Sequence, residues 1–391
     1  MNKNKYRYLI LLAAVLVQLC LGATYAWSIF VEPLKKMLYV SQASIQFPFS
    51  VFYIVFPFTM IFSGLLLNRF GVKFNLLAGA SFFASGWFLA GTFGHHFWML
   101  VLGIGVFGGI GVGLAYIVPI TMCIQWFPER KGLVTGIAVA GFGGGSAIVA
   151  QIAGHLLSRG WTPFETLRIL GLAFFVLIVC GALILKKPGD STTQMQKPVS
   201  LRFEHPKFFC LLYVMMTAGV AAGFAVNANL KQIIPSIDLK AGASAVSIFA
   251  LCNAAGRIVW GMLFDRFGGR KTMPANLILQ AMLLILSPLY LKSTQGLFLF
   301  AGLAGFNYGG VLVLYASEVS HVWGVDSVGR VYGLLFSCNI FASLAPVGAG
   351  VVFDWTGNFD LAFVLIGVGI GMVVAGFFLL GRNWLCREVQ I

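Results

Sequence analysis

Charge is what this sequence has least of. Only 10% of its 391 residues are Asp, Glu, Lys or Arg, against roughly 25% in a soluble domain. Acids are scarcer still, 12 against 26 bases. A water-soluble enzyme of this length would need more polar surface than these residues supply. The seven cysteines are odd in number and form no Cys-x-x-Cys pair, which speaks against a disulfide framework and against a zinc site. His-Glu-x-x-His and Gly-x-Ser-x-Gly are both absent. Nothing here indicates an enzyme, a metal or a cofactor.

What is abundant is apolar. Hydrophobic residues make up 59% of the chain, with 47 glycines and a mean hydropathy of +0.91, the composition of an integral membrane protein. A bilayer core takes about 20 apolar residues per helix. Twelve such runs are found, near 8–30, 46–67, 74–93, 97–118, 132–154, 167–185, 207–230, 242–264, 273–291, 296–317, 330–352 and 360–380. The first imitates a signal peptide up to Ala26, but continues through Trp27, Ile29 and Phe30 and reads as an uncleaved helix. The expected fold is an all-α membrane protein of twelve helices, with six-helix bundles at 1–185 and 207–391 joined by the polar connector 186–206.

The basic excess has a topological use. With the N-terminus inside, 18 bases fall on the cytoplasmic side and seven on the other, so both termini are expected in the cytoplasm of an inner membrane. Bases spread over short connectors do not describe a nucleic-acid surface; the partner they imply is the lipid bilayer. Gly-x-Gly-x-x-Gly occurs at 103–108, but in an apolar run with no strand, so it reads as packing. Gly105, Gly109 and Gly113 form a small-residue stripe on span 4, and Gly132, Gly136, Ala140 and Gly144 form one on span 5.

The chain repeats itself. SGLLLNRFGVKFN at 63–75 aligns with WGMLFDRFGGRKT at 260–272, and the segments starting at Trp126 and Trp323 align at the same offset of 197. Parallel halves of six helices imply a pseudo-two-fold axis along the membrane normal, with the substrate path between them. The duplicated segment resembles the signature loop of the major facilitator superfamily. In that loop Arg69, Asp265, Arg266 and Arg270 would form a cytoplasmic latch, weakened in the first copy by Asn68.

Arg257 stands out in span 8. It reads as the only charged residue deep within any span, roughly 12 Å from Asp265 along the helix. A cation there costs about 2.5–3.5 kcal/mol, so it should face a wet cavity or a partner. A guanidinium without an acid invites a carboxylate, gripped by two parallel hydrogen bonds. Asn253 lies one turn away on the same face.

TYAWSIF at 24–30, WFPERKGLVTGI at 126–137 and the Asn253–Arg257 pair together resemble the oxalate/formate antiporter family and the related monocarboxylate transporters. The resemblance spans essentially the whole chain. It implies an aromatic-lined cavity built from Tyr25, Tyr116, Phe142, Tyr308 and Phe336. Oxalate-exchanging members carry a second base on span 11; here that position is Asn339, next to Cys338. With one cation instead of two, the sequence favours a small monocarboxylate such as L-lactate, pyruvate or acetate. Animal members carry an Asp where this chain has Asn253, which cannot titrate. Proton symport is the reading adopted, with carboxylate exchange the alternative, and the protein is expected to act as a monomer. His155 and His321 read as polar helix ends rather than proton relays. A carboxylate-sensing receptor would need a soluble extension, and the tail after Gly381 is short.

Overall fold

The computed structural model describes residues 3–128, 131–188, 205–234, 237–323 and 328–388. The expected connector 186–206 falls largely outside them, as do Glu129 and Arg130 and the side chains of Asn68, Lys131 and Arg330. Among the described residues the chain is helical with no strand. Among those described residues, eleven helices are long and apolar enough to cross a membrane. The remaining expected crossing, span 9, is the 17-residue helix Gly269–Ile285 followed by a turn at Ser287–Tyr290, still within the usual range of crossing lengths.

Several boundaries differ from the sequence reading, each for a local reason. Span 1 crosses as Tyr6–Ala26, its last turn tightened to a 3-10 helix at Gly22–Ala26, and a separate helix Ser28–Leu38 follows outside the crossing run. Spans 2 and 3 are one helical stretch, Gln42–Phe93, interrupted only at Gly71 with φ 85°. Spans 8 (Leu239–Phe267) and 9 meet the same way at Gly268, φ 73°. Both glycines hold the same place in the duplicated loop, where positive φ excludes other residues at low cost. Span 6 (Pro163–Ile184) starts on a capping box, Thr162 with Glu165, and Pro163. Span 11 is broken twice, into Val328–Phe336, Cys338–Ala342 and Leu344–Thr356, at Ser337 and Ser343.

Small residues set the packing within each half. A Cβ on Gly105, Gly109 or Gly113 of span 4 (Phe97–Trp126) would meet Val51, Val55 or Thr59 of span 2, which is the stripe the sequence predicted. On span 5 (Lys131–Ser158) the packing face differs from the predicted one. Gly136 meets nothing and Gly144 only Leu19, whereas Gly141 and Gly145 press on the backbone of Val15 and Leu19 in span 1. Large apolar side chains such as Leu172, Val176, Leu251, Ile258 and Leu379 are exposed around the outside, where lipid would cover them.

Two antiparallel seams join the first six spans to the second six. Along spans 5 and 8 the partners are Gly154–Ala243, Gln151–Ser247, Gly143–Asn253 and Val139–Arg257. Along spans 2 and 11 they are Gly350–Ala43, Ser50–Ser343 and Phe56–Phe336. Both seams end in mid-membrane. Toward the face that carries the chain termini, Gly136, Gly64 and Gly333 meet nothing within 4 Å. The halves therefore separate on the termini side and close on the opposite side.

Polar groups complete that closure. Asp354 accepts from the amides of Gln42 and Ala43 at 2.9 and 3.0 Å, a carboxylate set on the free N–H groups that start span 2. Asn229 Oδ1 accepts from both Gln42 and Gln46 at 2.9 Å. Lys231, one of the seven bases counted opposite the cytoplasmic side, is 1% exposed and bonds Glu32 at 2.9 Å, and Lys36 holds the other oxygen at 3.0 Å. Burial raises the Glu32 carboxyl's pKa, but bonds to Lys231 and Lys36 outweigh it and hold the group below its usual value of 4.5.

This pair makes an asymmetric prediction. Glu32→Gln leaves Lys231 buried and unpaired, whereas Lys231→Met leaves a partly exposed Glu32 still paired with Lys36. Glu32→Gln is expected to lower stability more, between the ~1 kcal/mol of an exposed pair and the ~3–5 kcal/mol of a buried one. The wild-type contribution is complete above pH 4.5 and lost as pH falls through the lowered pKa. Thermal unfolding of the purified variants against pH should show Glu32→Gln lacking that acid limb.

Candidate substrate-binding site

Arg257 sits where the span 5–8 seam ends, ten residues before the end of span 8 at Phe267 and so roughly 15 Å in from that end. One face of the helix, Leu251, Ile258 and Met262, is exposed to the outside; the other carries buried Asn253 and half-buried Arg257. Arg257 Nε donates to Asn253 Oδ1 at 3.1 Å, and Nη1 donates to the Val139 carbonyl across the seam at 3.3 Å. A guanidinium has five N–H donors, and the Nη2 edge has no bond among the described residues. The Asn253 Nδ2 donor is buried and also unpartnered. Asn253 thus aims the guanidinium and still presents a donor beside it.

Between the halves, next to span 5, lies a cluster of aromatic rings drawn from both of them. Phe142 of span 5 contacts Tyr25 and Tyr116 edge-on at 5.4 and 5.2 Å between ring centres. Tyr25 and Tyr308 share a hydrogen bond of 3.0 Å from opposite halves. Phe336 meets Phe56 at 5.9 Å. Tyr116, Tyr308 and Tyr332 all lie within electrostatic reach of Arg257. The five aromatic positions expected from the sequence are therefore brought together. Cys338 and Asn339 are buried at the break in span 11, where Asn339 Nδ2 bonds the Phe336 carbonyl at 2.6 Å. That bond stays within span 11 and Asn339 carries no charge.

Tyr53 and Phe56 were not foreseen. Tyr53 stacks on Tyr25 and touches Phe224 across the midline at 4.0 Å; Phe56 bridges Tyr116, Phe142 and Phe336. The repeat held the signal, because 197 added to Phe56 gives Asn253.

A second correction concerns acids. Glu318 lies in the span 10 helix, Thr294–Trp323, one residue past the expected span end, and is 6% exposed with Oε2 unpartnered. Arg257 is therefore not the only buried charge in the crossing helices. The carboxylate lies against Gly269, at the start of span 9. Arg69, Asp265, Arg266 and Arg270 of the duplicated loop are exposed and make no ion pair among the described residues.

Residues 11–339 match the family model described as Major Facilitator Superfamily. The chain belongs to that superfamily. The fold agrees: a bacterial homologue of the human lysosomal transporter Spinster, solved inward-facing and unoccupied, superposes with a TM-score of 0.77 at 15% identity, over 98% of each chain. Among proteins known by sequence, the oxalate:formate antiporter of Oxalobacter formigenes is 25% identical over 93% of this chain and 88% of its own. Monocarboxylate transporter 12 of Xenopus laevis is 26% identical over 77% of this chain and 72% of its own. This major facilitator is thus a multi-pass membrane transporter, not an enzyme.

The Tyr25–Tyr308 bond gives a checkable quantity. Either Tyr→Phe change removes the same interaction, so each is expected to cost about 0.5–1.5 kcal/mol and the pair to cost little more than one alone. A double-mutant cycle on the unfolding midpoint measures the coupling; strict additivity would mean that the two phenols do not bond.

Proposed function

We propose that this transporter carries small monocarboxylates such as L-lactate or pyruvate across the inner membrane by alternating access, together with a proton. The observation that carries the reading is Arg257: one guanidinium, half-buried at the junction of the two halves, with an unused N–H edge. The carboxylate docks on that edge with two parallel hydrogen bonds. Asn253 Nδ2 donates to the same group or to the α-oxygen. Tyr25, Tyr116, Phe142, Tyr308 and Phe336 enclose the short hydrocarbon part and exclude water, with Cys338 and Asn339 forming the wall at the span 11 break.

Neutralisation couples binding to movement. An unliganded guanidinium resists enclosure because desolvating it costs several kcal/mol. Once paired with a carboxylate, the site can close on the termini side while the seams on the opposite side part. The bundles at 1–185 and 207–391 would rock against each other across the connector 186–206. With both termini in the cytoplasm, Arg69, Asp265, Arg266 and Arg270 latch the cytoplasmic face when the opposite face opens. The protein works as a monomer in this scheme.

Anion exchange is the second reading, and a specific observation favours it. Asn253 cannot carry a proton, and the one buried carboxylate in the crossing helices among the described residues, Glu318, lies at the termini end of span 10 rather than beside Arg257.

Uptake of radiolabelled L-lactate into proteoliposomes under an inward proton gradient, with no internal anion, separates the two. Accumulation in wild type, loss of at least ~100-fold in Arg257→Ala and ~10-fold in Arg257→Lys are expected for symport anchored by a bidentate grip. Uptake only after preloading with a carboxylate would replace symport by exchange. Normal transport by Arg257→Lys would remove the bidentate grip.

A further inference from the structure

Arg257 has a counterpart in the first half. The offset of 197 carries Met60 to Arg257, Phe56 to Asn253 and Val139 to Phe336. Contacts follow the same relation. Arg257 meets span 5 at Val139, and Phe56, one turn from Met60, meets span 11 at Phe336. Met60 continues the stripe Phe49, Tyr53, Phe56 at helical spacing. The flanking face is already occupied, with Val55 and Thr59 against Gly109 and Gly113 of span 4. The outer face carries exposed Phe58, Ile61 and Phe62. Half-buried Met60 packs against the core and, with the other faces taken, is left at the boundary between the halves, on the side where Gly64 and Gly333 meet nothing.

We infer that Met60 is a charge-selecting residue of the site in addition to Asn339 of span 11: it places a thioether where the repeat would set a cation matching Arg257. The inference rests on the carboxylate reading above and adds which residue refuses a second charge. A thioether donates no hydrogen bond and carries no charge. A monoanion paired with Arg257 leaves nothing uncompensated near Met60. The far carboxylate of a dianion would be desolvated against sulfur and aromatic carbon without a partner. One half of the duplicated frame therefore grips the anion and the other admits only an uncharged end.

The test installs the missing charge after folding. Met60→Cys, purified full-length in lipid nanodiscs, is modified with a thiosulfonate that adds an ethylammonium group, or with one that adds a neutral methylthio group. Affinities for L-lactate and for oxalate are then compared. Modified wild type serves as reference because Cys252 is also partly exposed, and intact mass reports labelling. The cationic adduct should raise the oxalate-to-lactate affinity ratio by ~tenfold or more relative to the neutral adduct, and Met60→Arg should do the same. An equal ratio for the two adducts overturns the assignment, as does an introduced thiol that neither reagent reaches. Wild type that binds L-lactate while the adducts ignore oxalate removes only the role of Met60. Wild type that binds neither carboxylate removes the carboxylate reading, and the inference with it.

Discussion

A guanidinium inside an apolar bundle constrains everything around it. Arg257 cannot face lipid without a cost of about 2.5–3.5 kcal/mol, so span 8 must turn that face inward and its apolar face, Leu251, Ile258 and Met262, outward. Facing inward, the side chain needs oxygen. It takes one from its own helix at Asn253 and one from the opposing half at Val139. The second bond puts the cation on the boundary that has to move. A charge housed in a fixed core would be structural; one housed on a seam is sensitive to which state the seam is in.

The two seams explain why the boundary is movable at all. Their partners are glycine, alanine and serine for most of their length, so helix backbones approach without interlocking large side chains. Where large residues do cross, as at Phe56–Phe336 and Tyr53–Phe224, they lie near the level of the site. Under the proposed alternating access, rocking about that level would open one end of each seam as it closes the other. The duplicated loops share a glycine break at Gly71 and Gly268, so the two halves carry similar hinges with dissimilar chemistry between them.

Much of the fold was legible because membrane helices announce themselves by length and composition, and because a repeat at one offset fixes the relation of the halves. The aromatic positions that cluster between the halves were legible through resemblance, residue by residue. What escaped was whatever depends on three-dimensional neighbours. Lys231 lies in what looks like an ordinary connector, yet it is buried because the chain folds back over Glu32. Glu318 looks like the first polar residue after a span, yet its helix continues and encloses it. The span 5 stripe was read one face off, since Gly136 and Gly144 have the right spacing but Gly141 and Gly145 have the neighbour.

The charge pair and helix cap on the face opposite the termini have a consequence for how the protein meets its cargo. Glu32–Lys231, Asp354 on the start of span 2 and Asn229 on two glutamines all tie the halves together on that face, and a state open there would have to break them. In the rocking scheme proposed above, cargo arriving from the opposite face would have to find the rarer state, and its apparent affinity would fall by the fraction of molecules open that way. The same pocket would then show two affinities, a bias set by residues outside the substrate site.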